Sequence, residues 1–261
     1  MSSIDEKRVH GANTESTALF VASDIGLTRV SVAGERVGEI ELRDRRSVHD
    51  LAFDEKLAVA TDEDVLIGNS LAESGFGPAT AVGFHDGLVA AAPDGRVAHR
   101  IDDEWHDVDT VETVHAIDGD LLATDGGVYR LTDDGLSRAG LDAVRDVAVG
   151  DGVPRAATAT GLYRLGNGWM DDLDGDFRTV SADIDGERAH AATTDDFYTH
   201  DGDEWRTIDI GKPIAAVAYA GLVYAVATDG TLLVGTDDGW RDHPLGIGEP
   251  HALVAADRNP V

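Results

Sequence analysis

Cysteine is absent from the chain and lysine is nearly absent. The 261 residues include no cysteine, and the lysines are Lys7, Lys56 and Lys212. The lack of cysteine excludes disulfides, thiol nucleophiles and thiolate metal ligands. No stretch approaches the about 18 to 20 consecutive apolar residues of a membrane-spanning helix, and the first residues are polar, without the apolar core of a signal peptide. We therefore expect a cytoplasmic protein that does not associate with membranes.

Positive charge is scarce, with 21 Lys+Arg against 50 Asp+Glu and a formal net charge of −29. Arginine supplies most of the basic residues, and aspartate outnumbers glutamate. This composition resembles that of proteins from salt-in haloarchaea, since a large net charge favours solubility. At about 1 M salt the Debye length is about 3 Å, so only charges in contact interact strongly. The sign of the charge and the screening both argue against a nucleic-acid partner.

One short pattern recurs seven times along the chain. Each copy is a β-rich apolar run, then a turn cluster such as Thr-Asp-Gly, in which Asp and Gly tolerate positive φ, and then a second apolar run. No segment shows sustained helical periodicity. The copies align on one small residue, with spacings of 31 to 38 residues: Ala22, Ala60, Ala92, Ala123, Ala157, Ala192 and Ala227.

Each repeat also contains a bulky apolar residue and a Val-x-Val-like run that links it to the next repeat. Four short strand candidates per repeat predict a β-propeller with one blade per repeat. Six or eight blades would require one spurious alignment or one hidden repeat. The bulky residues are Val37, Phe76, Trp105, Leu136, Trp169, Trp205 and Trp240.

The ends of the chain decide between a closed ring and an open solenoid. The first repeat lacks a leading Val-x-Val-like run because residues 1–17 are polar, whereas residues 251–256 form an unpaired run of that kind. An open solenoid would need polar capping repeats. We therefore predict one all-β domain, residues 18–256, with seven four-stranded blades, in which residues 251–256 join the first blade and close the ring. A flexible N-terminal segment, 1–17, and a C-terminal tail, 257–261, would flank it.

Some repeats resemble Asp-box repeats, which read Ser/Thr-x-Asp-x-Gly-x-Thr-Trp. Residues 199–205 (THDGDEW) come nearest, and residues 236–240 (TDDGW) and 102–105 (DDEW) are weaker matches. Propellers with such repeats include sialidases, sortilin-type receptors and photosystem II assembly factors. The resemblance therefore implies a fold and no particular activity.

The same resemblance implies structural roles for three residues. Asp201 would belong to a hairpin turn, and Trp205 and Trp240 would pack between blades. Over residues 18–256 the chain also resembles an uncharacterised family of haloarchaeal β-propeller proteins, which implies no activity.

Motifs for catalysis and cofactor binding are absent from the sequence. There is no Gly-x-Ser-x-Gly, no P-loop and no His-Glu-x-x-His. Residues 171–176 (DDLDGD) resemble a calcium loop, but the EF-hand register fails because Met170 and Ser181 would hold ligand positions. The aspartates of the repeated turns are explained by Asx-turn chemistry. We therefore expect no metal ion, no cofactor and no catalytic residue.

The innermost strands of a propeller line its central channel, and the loops that lead into them open onto one face. Binding residues often lie in such loops on a rigid scaffold. Counting back two residues from the central Val or Leu of each Val-x-Val-like run predicts a ring at one mouth of the channel. The predicted ring is His49, Thr80, Glu112, Arg145, Arg178, Ala215 and His251.

An unusual loop precedes His49. Residues 43–50 (RDRRSVHD) gather three arginines in a chain that is poor in positive charge. We predict that they converge with the ring on one anionic ligand, because the arginine fork makes bidentate contacts, with Glu112 and Asp50 orienting some guanidinium groups. The alternative is that each arginine pairs with neighbouring carboxylates, in exposed pairs worth about 0 to 1 kcal/mol each. The predicted ligand-binding residues are Arg43, Arg45, Arg46, His49, Glu112, Arg145, Arg178 and His251.

These features favour a non-enzymatic, monomeric interaction scaffold of a halophilic archaeon, which binds a protein or a small anionic ligand at the channel mouth. Fold supports this only by analogy. The alternative is a hydrolase or lyase acting on an acidic sugar or another carboxylate, with arginines that clamp the carboxylate and a tyrosine nucleophile. The tyrosines, none of which falls on the predicted ring, are Tyr129, Tyr163, Tyr198, Tyr219 and Tyr224.

Overall fold

Strands account for all the regular structure of the described chain. The computed structural model describes residues 16–150, 153–184, 188–202, 204–236 and 238–256. These residues form 28 strands in seven four-stranded sheets, which confirms the all-β propeller and its seven blades. No helix in this part of the chain is long and apolar enough to cross a membrane. The predicted terminal segments, 1–17 and 257–261, lie outside the described residues except for residues 16 and 17.

Each blade is an antiparallel sheet of four strands. Its innermost strand lines the channel, and its outermost strand faces outward. Blade 1 contains β1 (Thr17–Ser23), β2 (Gly26–Ala33), β3 (Arg36–Asp44) and the last strand of the chain, β28 (Pro250–Ala256). Blade 2 contains β4 (Val48–Phe53), β5 (Leu57–Thr61), β6 (Val65–Ile67) and β7 (Ala72–Glu73). Blade 3 contains β8 (Ala81–Phe84), β9 (Leu88–Ala91), β10 (Arg96–Ile101) and β11 (Glu104–Thr110).

The remaining four blades are regular. Blade 4 contains β12 (Val114–Asp118), β13 (Leu121–Thr124), β14 (Gly127–Thr132) and β15 (Gly135–Gly140). Blade 5 contains β16 (Val144–Ala148), β17 (Arg155–Thr158), β18 (Gly161–Gly166) and β19 (Gly168–Asp174). Blade 6 contains β20 (Phe177–Ala182), β21 (Ala189–Thr193), β22 (Phe197–His200) and β23 (Trp205–Ile208). Blade 7 contains β24 (Ile214–Ala220), β25 (Leu222–Ala227), β26 (Thr231–Thr236) and β27 (Gly239–Pro244).

The last strand closes the ring. β28 pairs antiparallel with β1, from Ala18 opposite Ala256 to Ala22 opposite Ala252. It is the innermost strand of blade 1, so the predicted closure is confirmed. This pairing covers the inner edge of β1, which would otherwise be open to pair with another chain.

A Ser or Thr hydroxyl organises most of the repeated turns, whereas in blades 3 and 7 the expected Asx turn forms, since Asp94 accepts from the Arg96 N–H (3.1 Å) and Asp229 from the Thr231 N–H (2.9 Å). The Ser or Thr directly after most of the aligned alanines donates its hydroxyl across the turn: Ser23 to the Gly26 carbonyl (3.0 Å), Thr124 to Gly127 (2.7 Å) and Thr158 to Gly161 (2.9 Å). These hydroxyls are buried. The turns therefore present their aspartates to solvent, at the face where the inner strands begin.

Tryptophan side chains join the outer parts of neighbouring blades. The indole nitrogen of Trp105 donates to the Ser74 carbonyl (3.3 Å), that of Trp169 to the Ala139 carbonyl (3.0 Å) and that of Trp205 to Asp172 (3.1 Å). Trp240 packs edge-on against Phe197, with ring centroids 5.5 Å apart. Trp205 and Trp240 thus lie between blades, as the Asp-box resemblance implies. Asp201 lies in the hairpin turn between β22 and β23, also as implied, and there it is exposed and pairs with Arg206.

Blade 2 departs from the others because its two outer strands are very short. The buried carboxylate of Asp64 organises the connection that follows them, since it accepts hydrogen bonds from the backbone N–H groups of Gly75 (2.9 Å), Phe76 (2.9 Å) and Gly77 (3.1 Å). The outer edge of blade 2 is therefore a loop held by one carboxylate, beside the arginine-rich loop that enters this blade.

Candidate functional site

The inner strands surround a channel that contains a cavity of about 720 Å³. The cavity is lined at one end by side chains near the starts of the inner strands and at the other end by the turns that follow them. The end at the strand starts is the channel mouth. The mouth is lined by His49, His115, Arg145, Arg178, Ala215 and His251.

A β-bulge places each of these side chains. In blade 2, Val48 pairs with Thr61 and Asp50 with Ala60, so His49 is the extra residue of its strand. The same shift occurs in blades 1, 4, 5, 6 and 7. A bulge breaks the ladder locally and turns the side chain of the extra residue, and it does so at the same height in six blades. The bulged residues are His49, His115, Arg145, Arg178, Ala215 and His251.

Five of the bulged residues carry a basic group, and we call them the basic ring: His49, His115, Arg145, Arg178 and His251. Four of these were predicted at the mouth. Their placement there follows from the inner-strand register, while their role in ligand binding stays a prediction.

The prediction of Glu112 at the mouth is wrong, and His115 holds that position in blade 4. In β12, Ile117 pairs with Leu122 as Leu51 pairs with Val59 in β4, so Ile117 and not Val114 is the central residue of the strand. The sequence alignment was therefore shifted by three residues. Glu112 precedes the strand and is exposed. A matching motif could have found His115, since residues 114–117 read VHAI and residues 48–51 read VHDL.

The three loop arginines do not join the ring, and none lines the cavity. Arg43 donates to the Asn69 carbonyl of blade 2 (2.9 Å). Arg46 bonds both carboxylate oxygens of Asp44 (3.0 and 2.8 Å) and reaches Glu73 (3.1 Å). Arg43 and Arg46 therefore tie the end of β3 to the short outer edge of blade 2.

The pairing of Arg46 with Asp44 has an electrostatic signature. Its side-chain hydrogen bonds hold the pKa of the Asp44 carboxyl below its usual value. For Arg43 and Arg46 the alternative interpretation, in which arginines pair with local groups, is the one that the contacts favour. Arg43, Arg45 and Arg46 do not line the cavity, and their role in binding a ligand together with the ring stays a prediction.

Most of the basic ring is held by acidic or polar neighbours. The Nε2 atom of His115 lies 2.8 Å from Asp125 Oδ1, and that of His251 lies 3.0 Å from Asp24 Oδ1. Arg145 pairs with Asp176 and donates to the Phe177 carbonyl (3.0 Å). Arg178 donates to Thr194 Oγ1 (2.9 Å), and His49 makes no hydrogen bond to the described residues. The hydrogen bond from His115 lowers the pKa of Asp125.

Below the ring, three carboxylates face the channel and bridge neighbouring inner strands. Asp50 accepts a hydrogen bond from the Val82 N–H (3.0 Å), and Asp146 accepts one from the Val180 N–H (2.8 Å). Asp118 accepts one from the Val149 N–H (2.7 Å). Each bond joins one blade to the next.

Enclosure by the inner strands shapes the titration of these carboxylates. Loss of bulk water raises the pKa of Asp50 to about 8 and that of Asp146 to about 7, against the opposing effect of their hydrogen bonds. Desolvation also raises the pKa of Asp118. The sequence search missed Asp118 and Asp146, although Asp50 and Asp146 occupy the same place in the matching runs VHDL and VRDV.

A family model described as "Beta-prop_HVO_0234:-like, beta propeller" matches residues 3–256. The chain belongs to this β-propeller family. The predicted resemblance to a haloarchaeal β-propeller family is thereby confirmed. No curated protein matches the chain in sequence.

Several solved propellers share the fold of this family member at low sequence identity. They include the Cps50 (Swd1) β-propeller domain of Myceliophteria thermophila, at 13% identity and a TM-score of 0.64, covering 82% of this chain and 90% of that one. YCF48 bound to D1 peptide matches at 15% identity and a TM-score of 0.58, covering 76% and 80%. A chain of a nidogen–laminin complex matches at 11% identity and a TM-score of 0.61, covering 93% and 99%.

The hydrolase or lyase alternative requires a tyrosine nucleophile beside the arginines of the mouth. No group of three His, Asp or Glu side chains in the described ranges is arranged to hold a metal ion. The residues that line the channel cavity include no tyrosine. The hydroxyl of Tyr219 instead lies 2.6 Å from Nδ1 of the buried His190, on the side of the ring away from the mouth. The basic ring is therefore the feature best suited to bind something.

Proposed function

We propose that this protein is a non-enzymatic interaction scaffold that binds a protein partner or a small anionic ligand at its channel mouth. The proposal places it in a salt-rich cytoplasm as a monomer. A rigid closed ring would present the mouth, and no covalent chemistry is involved.

The observation that carries the proposal is the basic ring. The chain has a net charge of −29, yet five of the seven inner strands place Arg or His at one opening. Arg145 and Arg178 both line the cavity of about 720 Å³, so a ligand in the cavity can reach their guanidinium groups. Arginine suits oxyanions because its planar group makes bidentate hydrogen bonds.

The structural relatives add support at the level of the fold. YCF48 was solved with a D1 peptide, and the nidogen–laminin propeller chain was solved in a complex. Those partners are specific to those proteins. They support a protein partner for this chain only as a general use of the propeller scaffold.

The test compares two variants with the same change in charge. The mouth variant combines Arg145→Ser and Arg178→Ser, and the control combines Arg43→Ser and Arg46→Ser, which lie away from the cavity. All three proteins are checked for equal folding and used to capture partners from a cell extract in concentrated KCl. We expect a partner that wild type and control retain and the mouth variant loses. Equal retention by all three would move the binding surface away from the mouth.

The captured partner is then purified, and its affinity for the three proteins is measured by calorimetry. Loss of a charge-assisted pair of contacts should weaken binding by roughly 1.5 to 3 kcal/mol for each arginine. A difference between mouth variant and control of less than tenfold would contradict the proposal.

A further inference from the structure

Three of the five side chains of the basic ring are imidazoles. Going around the mouth from blade 1, the positions are His251, His49, Thr80, His115, Arg145, Arg178 and Ala215. The imidazoles therefore lie in blades 1, 2 and 4, and His115 is next to Arg145, because the inner strands of blades 4 and 5 are neighbours. Histidine is the side chain whose charge ordinarily changes between about pH 5 and 8.

The charged neighbours of these imidazoles are few. His251 contacts Asp24 of its own blade, and His115 contacts Asp125 of its own blade. His49 lies between the inner strands of His251 and Thr80, and the charged group next to it is Asp50, below it on β4. On the other side of the mouth, Asp176 pairs with Arg145 and lies 4.0 Å from Arg178.

The other charged groups of this face are the exposed turn aspartates Asp62, Asp94 and Asp195, and groups that are already satisfied or remote. Lys212 pairs with Asp229 in blade 7. Glu112 lies over Gly126, where an added Cβ would come within 3.2 Å of its carboxylate. Among the described residues none of these groups forms an ion pair with the basic ring, so the charge balance counts only the acidic groups that do.

This balance depends on the imidazoles. With neutral histidines, Arg145 and Arg178 stand against Asp24, Asp125 and Asp176, which leaves one negative charge in excess. When all three imidazoles are protonated, the same groups carry two positive charges in excess. A protonated imidazole also donates from both ring nitrogens, so His115 and His251 could keep their aspartates and still donate into the mouth.

We infer that the mouth is a pH-gated anion site, which binds a doubly charged oxyanion when His49, His115 and His251 are protonated and releases it when they are neutral. The inference rests on the proposed function, because it concerns the same mouth and specifies how binding there is regulated. In concentrated salt only groups in contact with the ligand contribute strongly, and these three lie at the opening itself.

The carboxylates below the ring act in the same direction. Because enclosure raises the pKa of Asp50 to about 8 and that of Asp146 to about 7, acidification below neutrality removes negative charge from the channel. Asp118 follows the same trend. Protonation thus adds positive charge at the mouth and removes negative charge beneath it.

The first experiment titrates the full chain with sulfate, whose charge is constant over the range used. Affinity is measured by calorimetry in constant KCl at about pH 7.5 and about pH 5.5, on either side of the ordinary imidazole range. Because binding is linked to proton uptake, affinity should rise at least about tenfold at the lower pH. An equal affinity at both values, or no binding at either, would overturn the inference and leave the partner-capture test of the scaffold unaffected.

A matched variant identifies the groups responsible. The triple change His49→Gln, His115→Gln and His251→Gln keeps both arginines and removes the titrating rings from largely exposed positions. Its pH dependence should fall to roughly threefold or less, the remainder coming from the channel carboxylates. A triple variant that retains the full rise would overturn the assignment to the histidines.

The reciprocal measurement does not depend on any variant. Linkage requires that saturating sulfate raise the titration midpoints of the three mouth histidines, which the ring-proton signals report by NMR. The internal control is His243, which lies on the outer strand of blade 7. Its Nε2 is 3.0 Å from the Glu35 carbonyl. Unshifted mouth histidines, or an equal shift of His243, would overturn the inference.

Discussion

The inner strands of neighbouring blades are held together in two different ways. From blade 2 to blade 7, a side-chain hydrogen bond joins each inner strand to the next blade. The bonding side chains are Asp50, Thr80, Asp118, Asp146 and Tyr219. On either side of the closing strand β28, no side-chain hydrogen bond among the described residues joins it to β24 or β4.

Apolar packing replaces hydrogen bonds around β28. Leu253 belongs to the largest buried cluster among the described residues, which also contains Leu19, Val21 and Tyr224 and joins blade 7 to blade 1. On the other side, Ala252 and Val254 pack on the cluster that joins blade 1 to blade 2. Apolar burial is non-directional, so it tolerates small errors when a distant segment docks. A carboxylate bridge needs correct geometry before it offsets its desolvation.

The largest effect should come from shortening the apolar anchor of the closing strand. Leu253→Ala removes a side chain that is 6% exposed and should lower the free energy of unfolding by about 3 to 4 kcal/mol. Ile117→Ala is the matched control, because Ile117 holds the equivalent position in blade 4 and is 7% exposed. Since Thr80 bonds the neighbouring Val114 carbonyl, the control should lose about 1 kcal/mol less.

Urea unfolding in constant KCl measures both values. If the control variant loses as much stability as Leu253→Ala, or more, the closing strand depends on apolar packing no more than the others do. The contrast between the two kinds of junction would then have no energetic meaning.

The second effect sharpens the other half of the comparison, the carboxylate bridges. A carboxyl whose pKa is raised on folding binds its proton more tightly in the native state, so stability is greatest at low pH and is lost as pH rises through the folded pKa. For Asp146 and Asp50 those values are about 7 and about 8. Stability should therefore fall between pH 6.5 and 8, on the order of 2 kcal/mol.

The pH window begins at 6.5 because below that value a buried histidine changes stability with pH in the opposite direction. Burial lowers the pKa of His190 to about 4. Stability therefore rises with pH from this value up to the ordinary pKa of an unfolded imidazole, and above that pKa His190 causes no further change. The double change Asp50→Asn and Asp146→Asn should make stability nearly constant from pH 6.5 to 8. If the wild type is already constant there, the bridging carboxylates are ionised at neutral pH and the enclosure argument fails.

Much of the fold could be predicted because its signals are local and repeated. The small residue, the turn cluster and the Val-x-Val-like run recur in the same order every 31 to 38 residues, and the unpaired run at 251–256 indicates how the ring closes. The Ser23-type hydroxyls were missed because an exposed aspartate beside them offered a sufficient explanation. The hydroxyl side chain is buried and the aspartate side chain is exposed. Which of the two neighbouring residues is buried becomes known only from the pairing of the strands.

The site was predicted less completely for a geometric reason. His49, Arg145, Arg178 and His251 were placed correctly because they fall on bulges whose sequence position is regular. Glu112 was misplaced because Val114 was taken as the central residue of its strand, three positions before Ile117, which holds that place. The contact of Arg46 with Glu73 could not be foreseen, since Glu73 is 27 residues away and is within reach only because the outer strands of blade 2 are short.

The smallest effect concerns the arginine loop that joins the closing blade to blade 2. Arg46→Ser removes contacts to Asp44 and Glu73 at the outer edge, where the closed ring is supported by neither bridges nor the inner apolar clusters. Because these ion pairs reach solvent, the loss should be at most about 1 kcal/mol, and smaller in concentrated KCl than in dilute salt. Arg206→Ser, which removes the exposed pair with Asp201 in blade 6, is the control. A loss well above that of the control and unchanged by salt would show that Arg46 acts through packing of the loop against blade 2, and that the outer edge also secures the closing blade.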